Sequence, residues 1–242
     1  MNKLFTFLKK ISEISVWKFI KYNYFTKGVK RKKGAFIIPF KNAILEVGEN
    51  AEFIVEGKFR FGINKPKGSK AETLVRIQSN GKWIAHGEIW LFFDTFVDVH
   101  PGAVFESGFF SANGGSVIVV GKRIEFGHNV MIGRDVTIYD SDFHQILDEE
   151  GNPSNFSKEI KIEDNVWLTN KIMVLKGVTI GEGALISAMT LVRKDVPAHT
   201  LVAGNPGKVI KEGVAWKRDS ICDYENMLYQ KEAEYAGSKK RF

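Results

Sequence analysis

One short segment of the sequence places two carboxylates and an imidazole close together. In "DSDFH" (140–144), Asp140 and Asp142 precede His144 by four and two residues. An imidazole has an unperturbed pKa of roughly 6.5, so it can take a proton from a reacting group near neutral pH. We therefore predict that His144 is a general base and that Asp140 or Asp142 orients its ring. A surface-loop histidine beside turn-forming aspartates is the alternative interpretation.

The segment interrupts a six-residue repeat. Large apolar residues recur every six residues, or a multiple of six, at Phe126, Ile132, Ile138, Ile162, Leu168, Val174, Ile180, Ile186 and Val192. A helical period would drift out of this phase, and a simple strand would turn three of every six residues inward. A solenoid of short strands joined by turns fits the pattern. We expect residues 139–161 to form a catalytic loop that leaves the solenoid.

The extent of the repeat predicts the domain organisation. A basic amphipathic helical segment is expected at 1–34, a β-solenoid at 35–204 and a helical extension at 205–242. The two ends of a solenoid expose unpaired backbone groups unless something covers them. The flanking helical segments are therefore expected to cap the coil.

The first 34 residues carry most of the excess positive charge. They contain ten Lys and Arg residues against one acidic residue, Glu13, in a chain of formal net charge +7. Apolar residues at helical spacing predict an amphipathic helix of about five turns. These residues are Leu4, Phe7, Leu8, Ile11, Ile14, Trp17 and Ile20. We expect the apolar face to pack on the solenoid; the alternative is that it lies on an anionic membrane surface.

Charge and composition argue against several classes of protein. Positive charge concentrated at one terminus is not the basic face of a nucleic-acid-binding domain, so no nucleic-acid partner is expected. No uncharged run approaches the ~20 residues of a membrane span. The single cysteine, Cys222, cannot form an intramolecular disulfide, and the start of the chain lacks a secretory leader pattern. We expect a cytoplasmic protein, with the inner face of the membrane as the alternative location.

The end of the repeat carries a family resemblance. The segment "IEDNVWLTNKIMVLKGVTIGEGALISAMTLVRKDVPAHTLVAGNPGKVIK" (162–211) resembles the C-terminal coils of hexapeptide-repeat acyltransferases. Within that family it is most similar to sugar and surface-polysaccharide O-acetyltransferases. The resemblance implies a mainly β fold, a left-handed parallel β-helix. It also implies a homotrimer with active sites between subunits, and acetyl-CoA as co-substrate with no metal required.

The resemblance also assigns residues to the donor. Trp167, Asn170 and Ala188 fall where relatives line the groove for the pantetheine arm and the thioester. Four basic residues match positions that meet the nucleotide end of CoA, namely Arg193, Lys194, Lys208 and Lys211. Fixed positive charge is what phosphate groups require. Lysines and arginines that are merely solvated are the alternative interpretation.

The expected reaction is transfer of an acetyl group from acetyl-CoA to a sugar hydroxyl. His144 would remove the hydroxyl proton directly, without an acyl-enzyme intermediate. Asn113, in "SANGG", matches an asparagine that contacts the acceptor in sugar acetyltransferases; a turn residue is the alternative. The pathway we expect is capsule, exopolysaccharide or lipopolysaccharide O-antigen biosynthesis. An amino group of a nucleotide sugar, serine or a xenobiotic is the alternative acceptor.

Two further functions are compatible with a solenoid of this type. A zinc-dependent enzyme like carbonic anhydrase needs three histidines around one metal, and His128, His144 and His199 show no close pair. A non-catalytic scaffold or ice-binding solenoid would show uniform faces and no loop bearing a histidine. Neither pattern is met, so we expect no metal site and favour acyl transfer.

Overall fold

The structure is a computed structural model in which residues 13–227 are described. Four residues of the expected N-terminal helix lie outside this part, namely Leu4, Phe7, Leu8 and Ile11, and so does the polar tail at 236–242. The chain winds through successive coils, and each full coil gives one strand to each of three sheets. Strands β1 to β23 are numbered in chain order.

The three sheets contain all 23 strands of residues 13–227 and are called sheets I, II and III. Sheet I consists of β1 (Val29–Arg31), β4 (Glu52–Val55), β7 (Lys82–Ala85), β10 (Val104–Ser107), β13 (Arg123–Phe126), β16 (Ile160–Ile162) and β19 (Thr179–Ile180). Sheet II consists of β2 (Phe36–Pro39), β5 (Lys58–Ile63), β8 (Ile89–Phe92), β11 (Phe110–Ala112), β14 (Val130–Ile132), β17 (Trp167–Leu168), β20 (Leu185–Ile186), β22 (Thr200–Ala203) and β23 (Lys208–Glu212). Sheet III consists of β3 (Ala43–Val47), β6 (Thr73–Ile77), β9 (Phe96–Val99), β12 (Val117–Val120), β15 (Thr137–Tyr139), β18 (Met173–Val174) and β21 (Leu191–Val192).

The six-residue phase marks the interior of the coil. Every repeat residue named above is buried. In adjacent coils Ile162 pairs with Ile180 and Leu168 pairs with Ile186, so three six-residue units complete one turn. The strands pair in parallel along each sheet, apart from the antiparallel hairpin of β22 and β23. The prediction of a mainly β solenoid, a parallel β-helix, is confirmed, and its left-handed sense is what the family resemblance implies.

The early coils are filled by aromatic side chains. Phe53, Trp83 and Phe105 are fully buried and occupy matching register positions on neighbouring strands of sheet I. The ring centroids of Trp83 and Phe105 lie 4.7 Å apart, and the indole N–H of Trp83 donates to Ser107 Oγ at 3.0 Å. Aromatic side chains bury more area than the Ile and Val of the later coils, and the early strands are longer. The six-residue repeat is therefore harder to see in the sequence of the early coils, although the three-sheet solenoid continues through them.

The N-terminal segment differs from the helix that the spacing predicts. Helix α1 (Val16–Ile20) is followed by a π-helical turn (Lys21–Phe25), and Ile14 bridges to Phe40 instead of continuing the helix. The prediction of a helix through Ile14 is wrong, because the Glu13 carbonyl and the Ser15 N–H are paired with the chain around Pro39. The coils already begin at β1, inside the segment expected to be helical.

The other end of the coil is closed by the β22–β23 hairpin. The solenoid therefore extends to Glu212, past the expected boundary at 204. Residues 221–227 are helical, as predicted for part of the extension. Within residues 13–227, no helix is long and apolar enough to cross a membrane.

Candidate active site

The loop leaves the solenoid where the sequence repeat stops. It runs from Asp140 to Glu159 and connects β15 of sheet III to β16 of sheet I. Its side chains are mostly exposed, in contrast to those of the strands that it joins. The loop therefore presents polar groups outside the packed coil, where a substrate can reach them.

Asp140 anchors the start of this loop. Its side chain is fully buried, and its carboxylate accepts the backbone N–H groups of Gly121, Lys122 and Arg123 in the preceding coil. Hydrogen bonds from N–H groups to an ionised carboxylate are among the stronger ones in proteins. Both oxygens are engaged by backbone, so the structure gives Asp140 the role of an anchor.

Asp142 belongs to a polar cluster that holds the backbone of His144. Its carboxylate accepts hydrogen bonds from the Lys176 ammonium and from Asn155 Nδ2, the latter at 2.8 Å. Asn155 Nδ2 also donates to the carbonyl oxygen of His144 at 2.8 Å, and Lys176 donates to the Asn155 carbonyl at 2.8 Å. The Lys176 ammonium, with the Asn155 amide, holds the pKa of Asp142 below its ordinary value. The cluster ties the loop to the following coil.

Phe143 ties the loop to the earlier coils. It has a left-handed backbone with φ 60°, and its ring packs against His100 at 4.9 Å and Tyr139 at 5.8 Å between centroids. The loop crosses Gly121 to make this contact, and a Cβ at that position would lie 3.3 Å from the Phe143 ring and 2.8 Å from Ser141 Cβ. His144 is therefore flanked by contacts to coils on both sides.

The imidazole of His144 itself is exposed. Among residues 13–227 no side chain makes a hydrogen bond to its ring, so neither Asp140 nor Asp142 orients it directly. Hydrogen bonds of catalytic groups are often completed only when substrate is bound. The ring is thus free to contact a substrate, while its backbone is fixed by Asn155.

The predicted donor residues on sheet II lie along one edge of the solenoid. Trp167 is partly buried on β17, and its ring centroid is 5.7 Å from that of Trp216, which comes from the chain after β23. Asn170 and Ala188 are exposed at the corners between sheets II and III in successive coils. The Asn170 side chain accepts the Arg134 N–H at 2.8 Å, so it also helps to stack the coils.

The four predicted phosphate-binding residues are all exposed at the C-terminal end. Arg193 and Lys194 line a small cavity together with Gly207 and Val209 of the closing hairpin. Lys208 and Lys211 lie on β23 of the same hairpin. The structure therefore brings the first pair next to the strand that carries the second pair.

Asn113 lies at a corner between sheets II and III, one coil before the one that ends in the loop. Its side chain is partly buried, and its backbone N–H donates to the Ile132 carbonyl at 3.0 Å. Among residues 13–227 no hydrogen bond joins Asn113 to His144. The proposed role of Asn113 toward an acceptor remains a prediction.

Sequence reasoning missed several residues that shape the site. Lys176 and Asn155 were not singled out, nor were His100 and Phe143. Lys176 lies 34 residues from Asp142, in a coil corner like many others. Among these four residues, only Asn155 could have been suspected from the sequence, because it lies within the segment that interrupts the six-residue repeat.

No metal centre is formed by the described part of the chain. Between residues 13 and 227 no three His, Cys, Asp or Glu side chains are grouped so that they could hold a metal ion. The zinc-dependent alternative therefore has no ligand set within this part of one chain.

Comparison with known proteins identifies relatives. Polysialic acid O-acetyltransferase of Escherichia coli O1:K1 / APEC is 33% identical over 139 residues, covering 51% of this chain and 45% of the relative. Galactoside O-acetyltransferase of Escherichia coli K12 is 34% identical over 103 residues, covering 43% of this chain and 51% of the relative. The solved structure of the polySia specific acetyltransferase NeuO is 22% identical, covers 84% of this chain and 100% of that chain, and has a TM-score of 0.49. No family model matches the chain.

The fold and the loop define a class of protein. A parallel solenoid with a six-residue repeat carries a histidine on a loop that leaves the coil. The relatives named above are acetyltransferases, and the predicted resemblance of the sequence to hexapeptide-repeat acyltransferases is confirmed. The chain spans about half the length of the curated relatives it matches.

Proposed function

We propose that the protein is an acetyl-CoA-dependent O-acetyltransferase that modifies a sugar hydroxyl. The observation that carries the proposal is the presentation of His144, whose ring is exposed while its backbone is held by the Asp142–Asn155–Lys176 cluster. A general base must reach the proton it removes and must be held in place. The names of the relatives support acetyl transfer as the reaction.

The reaction proceeds by direct attack on the thioester. The His144 imidazole takes the proton of the acceptor hydroxyl while the hydroxyl oxygen bonds to the acetyl carbonyl carbon. The carbon–sulfur bond then breaks, and the CoA sulfur leaves with the proton that the imidazolium returns. The products are an acetyl ester and CoA. Backbone groups around Asn170 and Ala188 are proposed to hold the thioester carbonyl, where N–H donors would stabilise the developing negative charge.

The donor phosphates are proposed to bind at the C-terminal end of the solenoid. Arg193 and Lys194 share a cavity with the closing hairpin, and Lys208 and Lys211 stand on that hairpin. Solvent-exposed cations can pair with phosphates without the cost of breaking internal ion pairs. Such a position leaves the reactive end of the donor free to extend toward the coil that carries the loop.

The acceptor is proposed to be a surface glycan or its precursor, contacted in part by Asn113. Two relatives are named for polysialic acid and for galactosides, so sugar hydroxyls are the common chemistry of these names. Capsule, exopolysaccharide and O-antigen precursors are the acceptors that we propose to test first. The cytoplasm is the proposed compartment.

A homotrimer is proposed because one row of outward positions on sheet III is apolar along the solenoid. The row is in register and includes one Thr among apolar residues, namely Ile44, Leu74, Phe96, Val117, Thr137, Met173 and Leu191. A second outward row of the same sheet is charged in the early coils, at Glu46, Arg76 and Asp98, and continues as Val119 and Tyr139. The outward positions of sheet I are largely charged in the middle coils, for example Glu106, Glu125 and Lys161. A continuous apolar surface of this kind marks a protein–protein interface.

The oligomer is tested by light scattering. The Phe96→Glu variant should dissociate into smaller species, because a charge would be buried in the interface. The matched Ile84→Glu variant on sheet I should keep the wild-type mass. A wild-type protein that is a stable monomer and fully active would contradict the trimer.

The proposed function is tested with His144→Ala. Purified wild type is incubated with acetyl-CoA and a panel of glycans, amino sugars and serine, and products gaining an acetyl group are detected by mass spectrometry. With the best acceptor, His144→Ala should lower kcat by roughly 10²–10⁴-fold. Its affinity for acetyl-CoA should stay close to wild type. Acetylation only of an amine, or a variant that keeps more than about a tenth of the turnover, would overturn the proposal.

A further inference from the structure

The helical segment before the first coil has one buried face. The hydroxyl of Tyr22 accepts the Leu45 N–H at 3.1 Å. The side-chain amide of Asn23 donates to the Ile37 carbonyl at 2.7 Å, and its oxygen accepts the Ile37 N–H at 2.9 Å. Both side chains are buried. The segment is therefore fixed to the first strands of sheets II and III, and the direction of its other face is set.

The other face is apolar and exposed. Trp17 is 74% exposed and Phe25 is 76% exposed, and Val16, Ile20 and Tyr24 are also exposed. These five side chains fall within ten consecutive residues. Tyr24 is held in place by the Arg31 guanidinium, which lies 5.2 Å from the centre of its ring. Large aromatic residues are seldom exposed in such a cluster unless the surface meets a partner.

The surface around these aromatic residues is positively charged. From residue 13 to residue 41 the only acidic side chain is Glu13, whereas eight are basic. Lys30 is paired with Glu52, and Lys18 donates to the Ala43 carbonyl. Exposed lysines remain on both sides of the aromatic cluster, namely Lys21, Lys27, Lys32, Lys33 and Lys41.

We propose that this end of the solenoid docks on the surface of an anionic lipid bilayer. Tryptophan and tyrosine favour the boundary between headgroups and acyl chains, because one part of each ring is apolar and another part can hydrogen-bond. Lysines beside them attract anionic headgroups. A nucleic acid would satisfy the lysines but would leave Val16 and Ile20 without an apolar partner.

Docking would also orient the active site. The lipid-facing end holds the first strands of all three sheets, whereas His144 is on a loop after β15. The solenoid would therefore stand on the membrane, with its catalytic corner some coils above the headgroups. A glycan attached to a membrane lipid would be held near that corner. This inference concerns binding alone and does not depend on the proposed acetyl transfer.

The test is flotation of the full-length protein with vesicles. Vesicles of phosphatidylcholine alone are compared with vesicles that also contain phosphatidylglycerol, at low and high NaCl. The wild type should float with the anionic vesicles, and high salt should weaken the binding because it screens the lysines. The Trp17→Ser/Phe25→Ser variant and the Lys32→Glu/Lys33→Glu variant should each bind the anionic vesicles at least about tenfold more weakly than the wild type.

A matched control changes exposed apolar residues elsewhere. Ile221→Ser/Tyr224→Ser lies in the C-terminal helical residues and should bind like the wild type. Circular dichroism and melting establish that each variant is folded. A wild-type protein that fails to float with anionic vesicles at low salt would overturn the proposal. An equal loss of vesicle binding in the control variant and in Trp17→Ser/Phe25→Ser would overturn it too. If Trp17→Ser/Phe25→Ser lowers the oligomer mass in light scattering and leaves vesicle binding unchanged, the face binds a second copy of the chain and the proposal is wrong.

Discussion

The ammonium of Lys176 donates a hydrogen bond to the carboxylate of Asp142. Asp142 lies two residues before His144 and 34 residues before Lys176 in the sequence. The same ammonium donates to the carbonyl of Asn155, whose amide holds the carbonyl of His144. One lysine of the following coil thus fixes both ends of the loop. This arrangement makes the position of the imidazole dependent on residues that never touch it.

We predict that Lys176→Met slows turnover without changing the fold. The imidazole would lose the fixed backbone that places it, and small displacements of a catalytic group are costly, so kcat should fall by about tenfold. The KM for acetyl-CoA should change little, because the phosphates are proposed to bind elsewhere. Steady-state kinetics on the acceptor found in the product screen measure both quantities. Lys176→Arg should restore part of the turnover.

The control for this prediction is Lys82→Met. Lys82 is also a partly exposed lysine paired with a carboxylate, that of Glu52, but it lies on β7 of sheet I, two coils before the coil that ends in the loop. Its removal should leave kcat unchanged, since surface ion pairs contribute little to stability. Equal losses for Lys82→Met and Lys176→Met would show that the cluster does not position His144.

The two aspartates near His144 should respond differently to the same substitution. Asp140→Asn places an amide among three backbone N–H donors in a buried site, so all three lose a charged acceptor and at least one of them faces an NH2 group instead of an oxygen. We expect a loss of about 2–4 kcal/mol of stability, visible as a lower Tm. Asp142→Asn removes an exposed ion pair and should cost less than about 1 kcal/mol, but it should lower kcat as Lys176→Met does. Similar melting temperatures for the two variants would contradict the anchoring role of Asp140.

The different roles of the two aspartates show what the sequence can and cannot predict. Asp140 follows the buried Ile138 by two positions, so strand alternation could have placed it inward before the structure was known. The six-residue phase predicts which side chains point into the coil, the parallel sheets and the position of the loop. The phase does not predict Lys176 as the partner of Asp142, because lysines recur at many corners and nothing in the pattern distinguishes this one.

The N-terminal end was harder to predict for a different reason. Helical spacing of apolar residues assumes that one face is buried, whereas Trp17 and Ile20 are exposed and the buried contacts come from Tyr22 and Asn23. The polar side chains cap the first coil by hydrogen bonding, which a hydrophobic pattern cannot detect. The expectation that the two flanking segments cap the coil stays a prediction.

We predict that reversing charge at the C-terminal end weakens donor binding. Arg193→Glu/Lys208→Glu should raise the KM for acetyl-CoA by about tenfold or more, because two cations that we propose to face the phosphates become anions. The KM for the acceptor should change much less. Lys217→Glu, an exposed lysine beyond the hairpin, is the matched control and should keep the wild-type value. An unchanged donor KM for the double variant would show that Arg193 and Lys208 are only solvated.

Our last prediction concerns pH and the histidine at a corner between sheets I and II. His86 Nε2 lies 3.0 Å from Glu106 and its Nδ1 lies 3.3 Å from Glu56. The hydrogen bond that the ring donates to Glu106, with a smaller contribution from the one to Glu56, raises the pKa of His86 above its ordinary value. Glu106 also accepts a hydrogen bond from Arg123 at 2.7 Å, and the bonds from His86 and Arg123 hold the pKa of its carboxyl below the ordinary value. The protonated imidazole is therefore favoured in the folded protein.

The sign of the pH effect follows from the raised pKa. Because the folded protein holds the proton more tightly than the unfolded chain, the stabilisation is fully present below the unfolded pKa of about 6.5. It is lost as the pH rises through the higher pKa of the folded state. We expect the Tm of the wild type to fall over this range, and the Tm of His86→Gln to depend less on pH. His128→Gln, which changes an exposed histidine without a carboxylate partner in the described chain, should behave like the wild type. Melting curves recorded from slightly acidic to slightly alkaline pH decide the matter, and an equally steep fall in His86→Gln would mean that the Glu56–His86–Glu106 contacts do not couple protonation to folding.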